Sequence, residues 1–208
     1  MKTNQLYMPE DHMDRLYHAK NPFVGYVHNA RLSASCTALP KGKNLKVLDA
    51  GCGEGHLIEK MHSVHRYNKY YGVDITEIAL KKAKKRCPYA DFYNMDLLRL
   101  KFKNETFDVV ACSEVLEHIY KYDKAINELK RILKREGYLI ITFPNETNWI
   151  ISRFLLMRKP IKVPDHVNSF TPSTIKKHIG LEEVKKENLP FRQLPFFLSL
   201  GSLIVFRK

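Results

Sequence analysis

The stretch that most restricts this chain is Val47-Leu48-Asp49-Ala50-Gly51-Cys52-Gly53-Glu54-Gly55. An apolar run ends in an acid, three spaced glycines follow at once, and a helical pattern from His56 to Val64 comes next. A short unbroken apolar run fits a strand buried on both faces, as in a parallel sheet. The glycines allow a tight turn and a close backbone approach to a ligand. The helix after them offers unpaired N–H groups to a negative group. On its own, such a turn suits a dinucleotide, a nucleoside, or nothing beyond a tight connection.

The middle of the chain repeats this alternation. Tyr70–Asp74, Phe92–Met95, Phe107–Cys112 and Gly137–Phe143 read as strands, and Glu77–Arg86 and Ala125–Leu133 as helices. Alternation of this kind predicts a parallel sheet wound with helices on both faces. Ligands of such sheets bind beyond the carboxyl ends of the strands, where the winding reverses. With the strands in order 3-2-1-4, Asp49, Asp74, Asp96 and Cys112-Ser113-Glu114 would all reach one crevice. Asp74 lies about 20 residues beyond the glycines, a spacing suited to accepting both ribose hydroxyls of an adenosine. A dinucleotide site predicts the same acid but has no particular task for Asp96. Flanked by Met95 and Leu97, Asp96 could accept the exocyclic amine of an adenine. Each acid taken singly could instead cap a helix.

Composition narrows the class. The chain has 208 residues, 44% hydrophobic and 27% charged, a balance that fits one globular domain with a sizeable core. Four scattered cysteines with no CxxC pair argue against a disulfide scaffold and a cysteine zinc site. Met1–Glu10 lacks the apolar core of a signal peptide, and the longest apolar stretch, Leu194–Phe206, contains Pro195 and is too short to span a bilayer. A cytoplasmic setting is expected. The net charge of +13 is compatible with nucleic acid or an anionic membrane. Its densest run, Lys81-Lys82-Ala83-Lys84-Lys85-Arg86, falls on a helical pattern with apolar Ile78, Ala79 and Ala83, and reads as a solvated face.

Taken together, the glycine turn, Gly72-Val73-Asp74-Ile75, Asp96-Leu97 and the run Phe107-Asp108-Val109-Val110-Ala111-Cys112-Ser113-Glu114-Val115-Leu116-Glu117-His118 resemble the class I S-adenosylmethionine-dependent methyltransferases, over residues 45–145. The resemblance implies an α/β fold: a doubly wound, mostly parallel seven-stranded sheet in the order 3-2-1-4-5-7-6, with an N-terminal helical segment. It implies S-adenosylmethionine as cofactor. Asp49, Gly51, Gly53 and Gly55 would hold the methionine part, with Ala50, Cys52 and His56 of the same turn. Asp74 and Ile75 would meet the ribose, Met95, Asp96 and Leu97 the adenine, and Cys112 and Ser113 the sulfonium side. One domain is expected over 1–208: a helical cap (1–40), the cofactor core (45–145), a lid-like insert (146–170), and a helix with an antiparallel hairpin (171–208).

Within that family, Glu114-Val115-Leu116-Glu117-His118 looks like the ubiquinone-biosynthesis O-methyltransferases, as do His18–Val27 and Asp165–Pro172. That group carries an arginine just after its Asn-Pro, against the cofactor carboxylate. Here Phe23 and Val24 stand there, and the nearest basic candidates are His28 and Arg31.

Glu114, Glu117 and His118 stand at i, i+3 and i+4, so on a helix they would share a face. They could bind a divalent metal such as Mg2+. Alternatively Glu114 or His118 could be the base that deprotonates a hydroxyl, or the group could brace a loop. His166 is the other candidate base. The insert Trp149–Lys159 is apolar nearly all round: it could be buried, lid the substrate pocket, or touch a membrane to reach a lipid.

The expected reaction is methyl transfer to a small molecule or lipid, in the first place to an oxygen. The alternatives are an RNA-directed methyltransferase, a non-catalytic cofactor-binding module and an NAD enzyme. Nucleic acid is the weaker partner, because Cys112-Ser113-Glu114-Val115 lacks the Asn/Asp-Pro-Pro-aromatic turn and no Pro-Cys nucleophile is present.

Overall fold

Successive side chains of a strand point to opposite faces, and the central strands use this to fill two cores. In the computed structural model, which describes residues 22–155, 157 and 165–208, strand β1 (Lys46–Ala50) sends Leu48 and Ala50 to one face and Val47 to the other. Strand β4 (Phe107–Ser113) divides likewise, Val110 and Cys112 against Val109 and Ala111. So does β5 (Leu133–Pro144), with Ile141 against Ile140, and β7 (Gly201–Arg207), with Ile204 and Phe206 against Leu203 and Val205. With β2 (Lys69–Asp74), β3 (Asp91–Asn94) and β6 (Glu182–Leu189) they form one seven-stranded sheet in the order β3-β2-β1-β4-β5-β7-β6. Neighbours from β3 to β5 are parallel, and β7 runs antiparallel to both β5 and β6. This is the expected doubly wound fold with its closing hairpin.

Helices cover both faces. On one lie α1 (Pro22–Thr37), α2 (His56–Val64) and α3 (Glu77–Arg86), through Leu32, Ile58, Met61, Leu80 and Ala83. On the other lie α4 (Tyr122–Ile132) and α6 (Pro172–Ile179). Ala125, Ile126, Leu129 and Ile132 give α4 a single buried stripe, the spacing that one helical face requires. A capping box opens α6: Thr171 Oγ1 accepts from the Thr174 N–H, and Thr174 Oγ1 accepts from the Thr171 N–H, with Pro172 at the first helical position.

Several local expectations shift. Residues 1–21, the first half of the expected cap, and 158–164, part of the expected insert, lie outside the described residues. Ile78 is 48% exposed, and Leu80 joins Ala83 as the core face of α3. The basic run is largely solvated, although Lys82 and Arg86 form ion pairs with Glu54 and Glu59. The helix before β5 starts three residues early, and β5 reaches back to Leu133 across a register shift opposite Phe107/Val109. The described part of the insert forms α5 (Glu146–Leu155), of which only Glu146 is buried. Ile151, Phe154 and Leu155 face solvent, which excludes plain burial for this segment. Among the described residues no helix is long and apolar enough to cross a membrane.

The α4 stripe gives the fold a direct test. Leu129→Ala is expected to lower stability by about 2–5 kcal/mol, whereas Ile78→Ala should stay within about 0.5 kcal/mol. Urea unfolding midpoints would show the contrast, and equal effects would contradict the packing described for the two helices.

Candidate active site at the carboxyl ends of the sheet

Strands β1, β2 and β4 are neighbours with β1 in the centre, so their carboxyl ends form one ledge. The turn after β1 is held by backbone. Gly51 and Cys52 both donate their N–H to the Val73 carbonyl, at 2.8 and 2.9 Å. Gly51 has φ +84°, and a Cβ there would lie 2.4 Å from Val115 Cγ2. Glycine is therefore required both by the left-handed backbone and by the loop that packs over it.

The acids fall into different environments. Asp49 is 2% exposed; burial, and then the charge of Asp74, push its carboxyl up to about 7. Asp74 is half-buried and fastened by both oxygens: Oδ2 accepts from the Gly53 N–H and Oδ1 from the Thr76 N–H, each at 2.8 Å. Asp96 is exposed, and its Oδ1 accepts from the Leu98 N–H at 2.8 Å. Met95 donates its N–H to the Asp74 carbonyl at 3.2 Å, tying the ends of β2 and β3 together. Ile75 is 61% exposed, while Leu97 belongs to the core.

A small cleft opens beside the glycine turn, lined by Arg31, Leu32, Asp49, Gly51, Cys52, Glu54, His56, Leu57 and Ser113. Arg31 reaches it from α1 and pairs through Nη1 with Glu114 Oε2 at 3.0 Å. His56 Nε2 lies 3.5 Å from Glu54 Oε2, and the other Glu54 oxygen accepts from Lys82 Nζ. Ser113 Oγ shares a hydrogen bond with Thr142 Oγ1 at 2.8 Å. Ala50 and Cys112 point into the core with Leu48. Burial, and then the charge of Glu117, hold the Cys112 thiol well above its ordinary range, so what these two residues can offer a ligand is backbone.

The expected helical face of Glu114, Glu117 and His118 does not form. Strand β4 ends at Ser113, Glu114 takes a left-handed conformation (φ 56°), and the only helical piece is one 3-10 turn, Leu116–His118. Glu114 consequently turns to Arg31, and the side chains that come together are Glu117, His118 and His166. Each of these three offers one ligand-capable atom, and those atoms lie within 4.8 Å of one another. The imidazole centroids are 4.6 Å apart at 79°.

The loop of residues 165–168 fixes this turn. The Val167 and Asn168 N–H groups donate to the Glu117 carbonyl, and Asn168 Nδ2 donates to the carbonyls of Leu116 and Ile119. His118 Nδ1 lies 3.1 Å from the Asp165 carbonyl, and His166 Nδ1 contacts Glu146 Oε1. Glu117 is 1% exposed, and neither carboxylate oxygen has a hydrogen-bond partner among the described residues. Burial, and then the charge of Glu114, drive its carboxyl well upward. Burial, and then His166, lower the pKa of His118.

Reading the sequence missed Glu146, Glu54, Leu32 and Leu57. Glu146 carries no motif, and only the return of loop 165–168 reveals it. Leu57 follows the named His56 on the first turn of α2 and was within reach of the same argument.

Residues 48–141 match the model of a family described as a methyltransferase domain. The chain is 37% identical over 131 residues to an uncharacterized protein of Methanocaldococcus jannaschii, covering 59% of this chain and 53% of that one. A ubiquinone biosynthesis O-methyltransferase of Pelagibacter ubique is 30% identical over 162 residues, covering 73% and 64%. Among solved structures, a protein of Pyrococcus horikoshii superposes with a TM-score of 0.75 at 18% identity, covering 97% of this chain and 99% of that one.

Residues 48–141 form a methyltransferase domain.

A probable S-adenosylmethionine-dependent methyltransferase of Mycobacterium tuberculosis agrees with that placement, at 31% identity over 55% of this chain and 39% of its own length. The chain spans about half or less of the length of these relatives. The RNA-directed and non-catalytic alternatives find no support among them.

The burial of Asp49 has a consequence for stability. Its carboxyl holds a proton up to about pH 7 when folded but only up to about 3.8 when unfolded. Between those values the folded chain binds the extra proton, so this group's contribution makes stability fall as pH rises from about 4 to about 7, by up to about 1.4 kcal/mol per pH unit. Urea unfolding near pH 5 and near pH 7 should show the wild type losing more stability across that interval than Asp49→Asn. Equal losses would mean that Asp49 stays charged.

Proposed function

We propose that this methyltransferase moves the methyl group of S-adenosylmethionine to an oxygen of a small-molecule or lipid acceptor. The observation that carries the reading is the ledge of three acids on adjacent strand ends, with a glycine turn fastened between the first two. The turn and Asp49 receive the methionine part, with Cys52 and His56 beside it, and the Asp49 carboxylate balances cationic charge on the ligand. Asp74 accepts the ribose hydroxyls on lone pairs not used by Gly53 and Thr76. Ile75 and Met95 offer apolar contact to the adenine, and Asp96 accepts its amine. Arg31, already in the cleft, takes the cofactor carboxylate and exchanges Glu114 for it, which supplies the cation missing after Asn21-Pro22.

A sulfonium is a strong methyl donor, so the protein's work is alignment. The acceptor oxygen must approach the methyl carbon opposite sulfur, in a site that excludes water. The C–S bond breaks as the O–C bond forms, a neutral thioether leaves, and the hydroxyl proton departs on the acceptor side. That side is bordered by Ser113, His118 and His166. Oxygen as the acceptor atom is favoured by the similarity to the ubiquinone biosynthesis O-methyltransferase of Pelagibacter ubique. An apolar acceptor is favoured by the exposed Ile151, Phe154 and Leu155 of α5, which suit a lid or a contact with a lipid surface.

Calorimetric titration with S-adenosylmethionine should give saturable binding. Asp74→Ala should weaken it by about 10–100-fold, the loss expected for hydrogen bonds to a charged group. Arg31→Ala should weaken it by a similar factor, while hardly changing the affinity of a cofactor analogue without the carboxylate. No saturable binding, or binding indifferent to Asp74→Ala, refutes the reading.

A further inference from the structure

The amino ends of β1 and β2 lie a strand's length, about 15–20 Å, from the ledge of acids, and they carry a surface that methyl transfer does not use. Residues 39–48 and 60–73 contain Lys41, Lys43, Lys46, Lys60, Arg66 and Lys69 and no aspartate or glutamate. All six cations are exposed, and none forms an ion pair among the described residues. The two stretches are stitched into one face. Asn44 donates its N–H to the Tyr67 carbonyl at 3.1 Å, Lys69 to the Leu45 carbonyl at 2.8 Å, and Leu45 to Asn68 Oδ1 at 3.2 Å. Helix α2 starts at the glycine turn and ends at Val64, which brings Lys60 and His62 to the same end of the sheet.

The nearby acids are already engaged. Asp108 accepts from the Lys46 N–H and from Lys134 Nζ, and Glu59 from Arg86 Nη1. Aromatic rings stand among the free cations. Tyr67 is 63% exposed, with Lys43 Nζ 5.2 Å from its centroid. Tyr89 is 43% exposed and stacks on His62, centroids 3.6 Å apart at 17°. His62 in turn meets the edge of Tyr70, whose hydroxyl donates to the His65 carbonyl. Water-facing rings set among unpaired cations suit a flexible polyanion whose bases are free to stack. A duplex hides its base faces, and a lipid surface calls for inserted apolar side chains, of which this face offers Val64.

We propose that this face binds single-stranded RNA, its phosphates on Lys41, Lys43, Arg66 and Lys69 and its bases stacked on Tyr67 and Tyr89. Asn44 and Ser63, exposed among the cations, offer polar side chains to 2′-hydroxyls, the groups that separate RNA from DNA. The inference does not rest on the methyltransferase reading: the face is remote from the cleft, so the RNA is a binding partner and not the methyl acceptor.

Fluorescence anisotropy with a labelled single-stranded RNA of about 12 nucleotides tests the face on the full chain. Saturable binding is expected, with a log–log salt slope of about −3, as four phosphate contacts predict. Tyr67→Ala should weaken it at least about fivefold. The double variant Lys41→Ala/Lys43→Ala should halve the slope to about −1.5. Lys121→Ala/Lys124→Ala removes the same charge from α4 on the opposite face of the sheet and should leave affinity within about twofold at moderate salt. Tyr89→Ala should act like Tyr67→Ala; if it lowers the melting temperature, the fully exposed position 67 carries the reading. Calorimetric binding of S-adenosylmethionine should be the same in Tyr67→Ala as in the wild type. No RNA binding, equal loss in the α4 variant, or indifference to Tyr67→Ala overturns the proposal. So does binding as tight to DNA of the same sequence, to the RNA duplex, to inorganic polyphosphate or to vesicles containing phosphatidylglycerol.

Discussion

One carbonyl, that of Val73, accepts the N–H groups of both Gly51 and Cys52, and the working end of the molecule depends on that pairing. It locks the turn after β1 to the end of β2. Asp49 and Asp74 are thereby brought close enough that the charge of one raises the proton affinity of the other. The pairing is possible only because Gly51 adopts φ +84° and leaves room for Val115. Parallel pairing of β1 with β2 and β4 supplies the register, and the turn chemistry turns that register into a cleft.

Buried charge is distributed unevenly around this cleft, and the distribution follows the elements that carry it. Asp49 sits near the end of the interior strand β1, where helices cover both faces, and is almost completely removed from water. Asp96 follows the edge strand β3 and stays in solvent. Arg31 and Glu114 arrive from opposite sides, one on a helix and one on a left-handed residue after β4, and neutralise each other at the cleft. Glu117 receives no such hydrogen-bonding partner, which is why its surroundings differ in kind from those of the other acids.

Much of this was legible in the chain itself. Apolar runs ending in acids marked β1 and β2, and their alternation with helical patterns fixed the class of sheet, because a strand buried on both faces has a composition that a surface strand does not. Asp49, Asp74, Asp96 and the glycines were legible for a related reason: strand ends and tight turns impose local residue requirements. The i, i+3, i+4 reading of Glu114, Glu117 and His118 failed because spacing defines a shared face only on a continuous helix, and one left-handed residue is enough to break it.

What the sequence determined by itself was therefore the set of strands, their winding and the acid at each strand end, all properties of local pattern. Tertiary structure alone decided that Arg31 faces Glu114, and that Glu146 and His166 join Glu117 and His118. Those partners are separated along the chain by whole elements. Only packing of α1 over the sheet, and the return of loop 165–168 onto the turn after β4, brings them within hydrogen-bonding reach.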